Sequence, residues 1–254
     1  MSNPAAKVAI VTGAARGIGL ATAGRFLDEG WRVALLDIDG DALAEDPLPG
    51  SLTIACDVAD PGQVQNAIAQ VVEQFGRIDA LINNAGTAVF KPLLQTTYEE
   101  WQRVLDVNLS GPFICSQACA PVMIAQGGGC IVNITSVSGL RASMLRVAYG
   151  TSKAGLMHLT KQQAAEWGEV GIRVNAVSPG PVDTAMAKAV HSADIRADYH
   201  DAIPLNRYGL EREIAATIWF LCSDEASYIT GQAIAVDGGF DATGIGLPSL
   251  RKGL

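Results

Sequence analysis

Seven short apolar runs recur along the chain, at 7–12, 32–37, 52–56, 80–83, 130–135, 173–178 and 233–236. They are rich in Val, Ile and Leu and lack clean apolar–polar alternation. Such runs are expected of parallel strands covered on both faces. Between them lie amphipathic stretches with helical spacing, at 17–29, 63–75, 98–126, 149–167 and 211–221. Gly30 and Gly76 stop the first two, and Gly111-Pro112 is expected to interrupt the third. Repeated strand–helix–strand units predict right-handed crossovers and a parallel sheet. The expectation is an α/β fold: a doubly wound, seven-stranded parallel sheet with helices on both faces, in one domain spanning 1–254. The polar, helix-like stretch at about 184–206 reads as a flap over a site. The glycine-rich tail 241–254 is expected to be partly extended.

Composition narrows the function classes. Apolar residues make up 49% of the 254 residues and charged residues 17%, enough for a large core. The net charge is -8 and no basic patch stands out, which argues against a nucleic-acid partner. No uninterrupted apolar run reaches the roughly 18 residues of a membrane span. The N-terminus has no signal-peptide pattern. Neither a membrane partner nor export is therefore expected, and the cytoplasm is. The five cysteines are odd in number and show no C-x-x-C pair, which fits reduced thiols. Cys115 and Cys119 sit one helical turn apart without further ligands at metal spacing, so no metal is expected.

The first candidate chemistry follows the first strand, in Thr12-Gly13-Ala14-Ala15-Arg16-Gly17-Ile18-Gly19. Glycines there let the backbone turn tightly and let a pyrophosphate approach a helix N-terminus. The spacing is G-x-x-x-G-x-G rather than the common G-x-G-x-x-G, but its place between strand and helix supports a dinucleotide site. Asp37, at the end of the second strand, can accept hydrogen bonds from ribose hydroxyls and would repel a 2′-phosphate. NAD is therefore the expected cofactor. Arg16 pulls toward NADP, which remains a minor one. Asp57, after the third strand, is placed to accept from an adenine amino group, and Asp60 before Pro61 fits a helix cap better.

The second is a proton-transfer device. Tyr149 precedes Lys153 by four residues, which on a helix puts both on one face. A nearby ammonium favours the phenolate and is expected to lower the tyrosine pKa toward working pH. Ser136 lies thirteen residues upstream and can hold the substrate oxygen against the phenol. Ser138 can share or replace that role.

With these residues the chain resembles the short-chain dehydrogenase/reductase family, in its shorter single-domain branch. The resemblance runs from Lys7 to about Phe240 and rests on motifs in the family's order. These are the glycine loop at 12–19, Asp57, Asn83-Asn84-Ala85-Gly86, Asn108, Ser136, Tyr149 with Lys153, Pro179-Gly180, and the segment 182–184. It implies a Rossmann-type fold and an NAD(P)-dependent oxidoreductase. Tyr149 would be the general acid/base and Lys153 its helper and a ribose ligand. Ser136 would orient the substrate, and Asn108 would hold a water in a proton relay. Gly13, Arg16, Gly17, Ile18 and Gly19 would surround the pyrophosphate. Asp37, Ile38, Asp57 and Val58 would line the adenosine. Asn84, Ala85 and Gly86 would pack beside the cofactor, and Asn83 would steady the central strands. Pro179, Gly180, Val182 and Thr184 would hold the nicotinamide, with Thr184 also fit to cap the flap helix. A homotetramer is implied as well.

The expected activity is reversible hydride transfer between a secondary alcohol or ketone and NAD, with the polyol, sugar or hydroxy-ketone class favoured. The substrate pocket is expected from 87–90, 140–147 and the flap. The rival enzyme reading is a 3-oxoacyl thioester reductase of the same family, against which Asp37 counts. A non-catalytic NADH-sensing protein is a remote third.

Overall fold

The computed structural model describes residues 6–45 and 48–244. The first half runs β1 (Val8–Thr12), α1 (Gly17–Asp28), β2 (Arg32–Asp37), α2 (Gly40–Glu45), β3 (Leu52–Ala55), α3 (Pro61–Phe75) and β4 (Ala80–Asn83). Next come α4 (Tyr98–Leu105), α5 (Gly111–Ala125), β5 (Gly129–Ile134), α6 (Val137–Leu140), α7 (Val147–Trp167) and β6 (Ile172–Pro179). The chain closes with α8 (Ala185–Val190), α9 (Ala193–Ala202), α10 (Glu211–Cys222) and β7 (Ala233–Val236). All seven strands form one sheet in the order β3-β2-β1-β4-β5-β6-β7, and every neighbouring pair is parallel. This is the expected doubly wound Rossmann-type fold.

Side-chain alternation explains the two covered faces. In β1, Val8 and Ile10 join one core with Val64, Ile68 and Val71 of α3 and Cys115, Cys119 and Met123 of α5. Ala9 and Val11 point the other way, into a second core with Phe26 of α1 and Ile214, Ile218 and Leu221 of α10. Strand residues successively face opposite sides, so an unbroken apolar run feeds both. Each fully buried Val, Leu or Ile stabilises the fold by roughly 1.5–3 kcal/mol.

Helix ends follow local chemistry. Asp60 caps α3, accepting from Gly62 N at 2.8 Å and Gln63 N at 3.2 Å, with Pro61 in the first turn. Gly76 ends α3 at φ 76°. Thr97 and Glu100 form a reciprocal capping box at the start of α4.

The expected interruption of the long third helix is a turn of π-helix at Asp106–Ser110, just before Gly111-Pro112, and the helical run continues through it. Two features depart from the sequence reading. Two short helices, α2 and α6, fall where no helical run was evident. By length and composition, the continuous helical run Tyr98–Ala125 is apolar enough to cross a membrane, although no uninterrupted apolar run predicted it. Its apolar residues Val104, Cys115, Cys119 and Met123 are instead buried in the fold. Most of the tail, 245–254, lies outside the described residues.

The strand order sets where a ligand goes. The chain steps from β1 outward to β3, then returns to the other side of β1 with β4. The loops after β1 and β4 therefore diverge, and the crevice at such a switch point is the ligand position in open α/β sheets.

Candidate active site

A cleft of about 610 Å³ opens at this switch point. The loop after β1 forms its floor. Gly13 has φ 63°, and a Cβ there would lie 2.8 Å from Ala85 Cα. A Cβ on Gly19 would lie 2.1 Å from Gly13 O. Any side chain at either position would push the loop off its neighbours. Asn84 ties the two loops together, donating from Nδ2 to Thr12 O and Gly13 O, both at 2.9 Å. The Thr12 hydroxyl accepts from Asn84 N and Ala85 N, each at 3.0 Å. The result is bare backbone at a helix N-terminus, which fits a pyrophosphate. Gly13, Arg16, Gly17 and Ile18 line the cleft. Gly19 is buried and does not, so its part is to let the loop close.

At the end of β2, Asp37 accepts from Ala15 N and from Asp39 N, each at 3.0 Å. It fastens the glycine loop while facing the cleft with Ile38. Asp39, which the sequence reading passed over, also lines the cleft and forms an ion pair with Arg16. The Ala42 amide, and then Arg16, hold the Asp39 carboxyl below its usual range. Its position two residues beyond Asp37 is the signal that could have found it. Asp57 and Val58 line the same end, with Asp57 accepting from Ala59 N at 2.9 Å.

The acid–base group sits on α7 and the loop after β5. Tyr149 and Lys153 lie one turn apart, with Lys153 Nζ 5.7 Å from the Tyr149 ring centre. Ser136 caps α6, accepting from Ser138 N at 3.1 Å, and its hydroxyl is close enough to Tyr149 to favour the phenolate. Ser136, Tyr149 and Lys153 all line the cleft. The expected lowering of the Tyr149 pKa by Lys153 is absent. Burial pushes the phenol above its usual value, and the opposing pulls come from Ser136 and the Arg146 charge. Lys153 exerts no such pull because it sheds its own proton before the phenol does, while its Nζ donates to Ile134 O at 2.7 Å. Burial brings Lys153 itself down to about 8.

Asn108 sits in the π-turn and is fully buried. Its amide donates to Thr87 O at 2.9 Å and Ser152 Oγ at 3.0 Å, and its oxygen accepts from Thr87 N at 2.8 Å. It does not line the cleft, but a Cβ on Gly86 would stand 3.4 Å from Asn108 Oδ1 and 3.5 Å from Lys153 Nζ. Asn83 donates to Asn133 Oδ1 at 2.8 Å, joining β4 to β5.

The other end of the cleft is closed by the flap, which is α8 and α9. Thr184 caps α8, accepting from Ala187 N at 3.1 Å, and also lines the cleft. Pro179, Gly180 and Val182 stand beside it, with Ala85 and Gly86 opposite. His191 and Tyr199, unmarked by any sequence pattern, line this end too. His191 Nε2 is 3.4 Å from Arg146 Nη2, and Nδ1 is 3.0 Å from the Tyr208 hydroxyl. An arginine can only donate, so Nε2 accepts and Nδ1 carries the proton. Burial, then the Arg146 and Arg196 charges, lowers the His191 pKa. Ser138 is not brought in. Its hydroxyl pairs with Ser143 Oγ at 3.0 Å and borders a separate cavity of about 470 Å³. The α6 turn that aims Ser136 into the cleft turns Ser138 away. Among the described residues, no three His, Cys, Asp or Glu side chains group as a metal site would need.

A seven-stranded parallel sheet with a glycine loop, a β2 acid and a Ser-Tyr-Lys group in one cleft defines a nucleotide-dependent oxidoreductase class. Comparison with known proteins agrees. A family model described as enoyl-(acyl carrier protein) reductase matches residues 13–241. The chain is 41% identical over 239 residues to a 3-oxoacyl-(acyl-carrier-protein) reductase of Thermotoga maritima, covering 92% of this chain and 97% of that one. It is 40% identical over 247 residues to the 2-(R)-hydroxypropyl-CoM dehydrogenase of Xanthobacter autotrophicus, covering 93% and 99%. A solved 4-hydroxyisoleucine dehydrogenase complexed with NADH superposes with TM-score 0.87 at 35% identity, covering 93% and 99%. The chain belongs to the short-chain dehydrogenase/reductase family, whose members bind NAD(P).

Proposed function

We propose that this oxidoreductase catalyses reversible hydride transfer between a secondary alcohol or ketone and NAD, with Tyr149 as general acid/base. The observation that carries the reading is the placement of Ser136, Tyr149 and Lys153 in the cleft that the glycine loop opens. When bound, the nicotinamide supplies or takes the hydride. Pro179, Gly180, Val182 and Thr184 would hold it, and Asn84, Ala85 and Gly86 would pack along its edge. The Ser136 hydroxyl positions the substrate oxygen; the Tyr149 phenol gives that oxygen a proton in reduction, and the Tyr149 phenolate takes one from it in oxidation. Lys153 would hold the ribose hydroxyls and pass protons on, with Asn108 fixing the turn beside it.

NAD is favoured over NADP by the two carboxylates at the β2 end. Arg16, the cation that would welcome a 2′-phosphate, is engaged by Asp39. A phosphate there would have to break that pair and face Asp37 as well. Five free, buried cysteines suit a reducing cytoplasm. A homotetramer fits Leu94, Tyr98 and Phe113, apolar and exposed near or on α4 and α5.

The second reading, reduction of 3-oxoacyl thioesters, has the names of the curated relatives on its side. One screen separates the readings: secondary alcohols, polyols, hydroxy acids and a 3-oxoacyl thioester, each with both cofactors, followed at the reduced-nicotinamide absorbance. NAD-dependent turnover of alcohols is expected. Turnover of the thioester alone with NADPH would replace this reading with the second. Tight NADH binding with no turnover would leave a sensor.

A further inference from the structure

The carboxylates that line the cleft are confined to one end. Asp37, Asp39, Asp57 and Glu211 all belong to the cofactor end, Glu211 standing against Gly17. Around the Tyr149 hydroxyl the charge is positive. Arg146 precedes Tyr149 by one helical turn and lines the same cleft. Among the described residues it has no carboxylate partner. Its neighbours are the Phe90 ring, 5.0 Å from the guanidinium carbon, and the neutral His191 at the long distance of 3.4 Å. A guanidinium has five donors in a planar fork, so most of its hydrogen-bonding capacity is left for the cleft and for the neighbouring cavity that Arg146 also borders.

The backbone supports this placement independently. Leu145 has φ 62°, a left-handed conformation uncommon for a residue with a side chain. Its carbonyl accepts from Lys91 N at 3.0 Å, which pins the strained residue immediately before Arg146. Strain of this kind gathers at ligand clamps and active sites.

We infer that Arg146 receives an anionic group of the substrate, so that the natural substrate is a small oxo acid or hydroxy acid. The inference rests on the proposed alcohol–ketone chemistry and names its substrate class. Phe90 and His191 hold the guanidinium from two sides, and the acid's carboxylate occupies the open edge of the fork. Arg103 also lines the cleft without a carboxylate partner, but it is exposed and its charge is not among those acting on Tyr149.

The test uses acetoacetate, 4-oxopentanoate and 5-oxohexanoate against their methyl esters, with NADH, in the intact enzyme. At least one acid is expected to be reduced with higher kcat/KM than its ester. In Arg146→Met the acid-to-ester ratio is expected to fall about 10- to 100-fold, the scale of a charge-assisted pair. Arg146→Lys should recover part of the ratio, and Arg103→Met should leave it in place. If Arg146 only latches the flap, acid and ester will fall together and the ratio will hold, which overturns the inference. Esters preferred by the wild type, or none of the six reduced while other ketones are, would overturn it too and leave the oxidoreductase reading standing. No ketone or alcohol turned over at all would sink both.

Discussion

At the glycine-loop end of the cleft, the groups facing a ligand are backbone amides and carboxylates held by backbone bonds. At the flap end they are side chains held by other side chains. Asp37 is fixed through Ala15 N and Asp39 N, and Asn84 through Thr12 O and Gly13 O. His191, by contrast, is placed by Tyr208 and Arg146, and Arg146 by Phe90 and His191. A backbone-fixed surface suits a ligand common to a whole family. A side-chain surface can change with each substrate while the fold stays put.

Substitutions at the two ends should therefore fail differently. The largest effect is expected at the junction of the ends. Tyr149→Phe removes the transferable proton and should lower kcat by about 10³-fold. NADH binding, read by fluorescence titration, should persist; retained turnover would move the acid–base role elsewhere. Next is the rigid end. Gly19→Ala puts a methyl 2.1 Å from Gly13 O, so the loop must move. We expect a loss of roughly 1–3 kcal/mol or more in urea unfolding together with weakened NADH binding. An alanine variant with unaltered NADH affinity would show that the loop bends freely.

Lys153 gives a comparable effect with a pH signature. It is 4% exposed, and its pKa is brought to about 8 by burial, against an ordinary 10.5. Between those values the unfolded chain binds more protons than the folded one, so the site's contribution to stability rises with pH. Below about 8 the buried ammonium carries its desolvation cost. Lys153→Met removes that dependence, and its stability relative to wild type should decline by about 2–3 kcal/mol from pH 7 to 10. A flat difference would mean that the ammonium is well hydrated. The smallest effect is expected from Ser138→Ala, whose hydroxyl meets Ser143 rather than the cleft. Its kcat/KM should stay within about twofold of wild type, an ordinary change away from a site. A tenfold loss would bring Ser138 back beside Ser136.

The same contrast explains what could be read in the sequence. The strands were visible because parallel strands buried on both faces require unbroken apolar runs, as in Val8–Thr12. The glycine loop was visible because Gly13 and Gly19 meet constraints that no other residue satisfies. Tyr149 and Lys153 were visible through helical spacing. His191 and Tyr199 were not, because their place depends on how α8 and α9 fold over the cleft, which leaves no spacing rule. Ser136 and Ser138 looked interchangeable until the short α6 turn separated them. The direction of the Tyr149 pKa was misread because spacing shows which side chains share a face, not how deeply they are buried, and burial raises the phenol and lowers the lysine.

The central claim is that NAD lies with its ribose against the Asp37–Asp39 pair and its nicotinamide beside Tyr149. Titrating NADH and NADPH into the Tyr149→Phe variant, which binds without turning over, tests it most directly. NADH should bind at least about tenfold tighter, a difference of roughly 1.4 kcal/mol, and Asp39→Ser should narrow the gap. Equal affinities, or tighter binding of NADPH, would contradict the account.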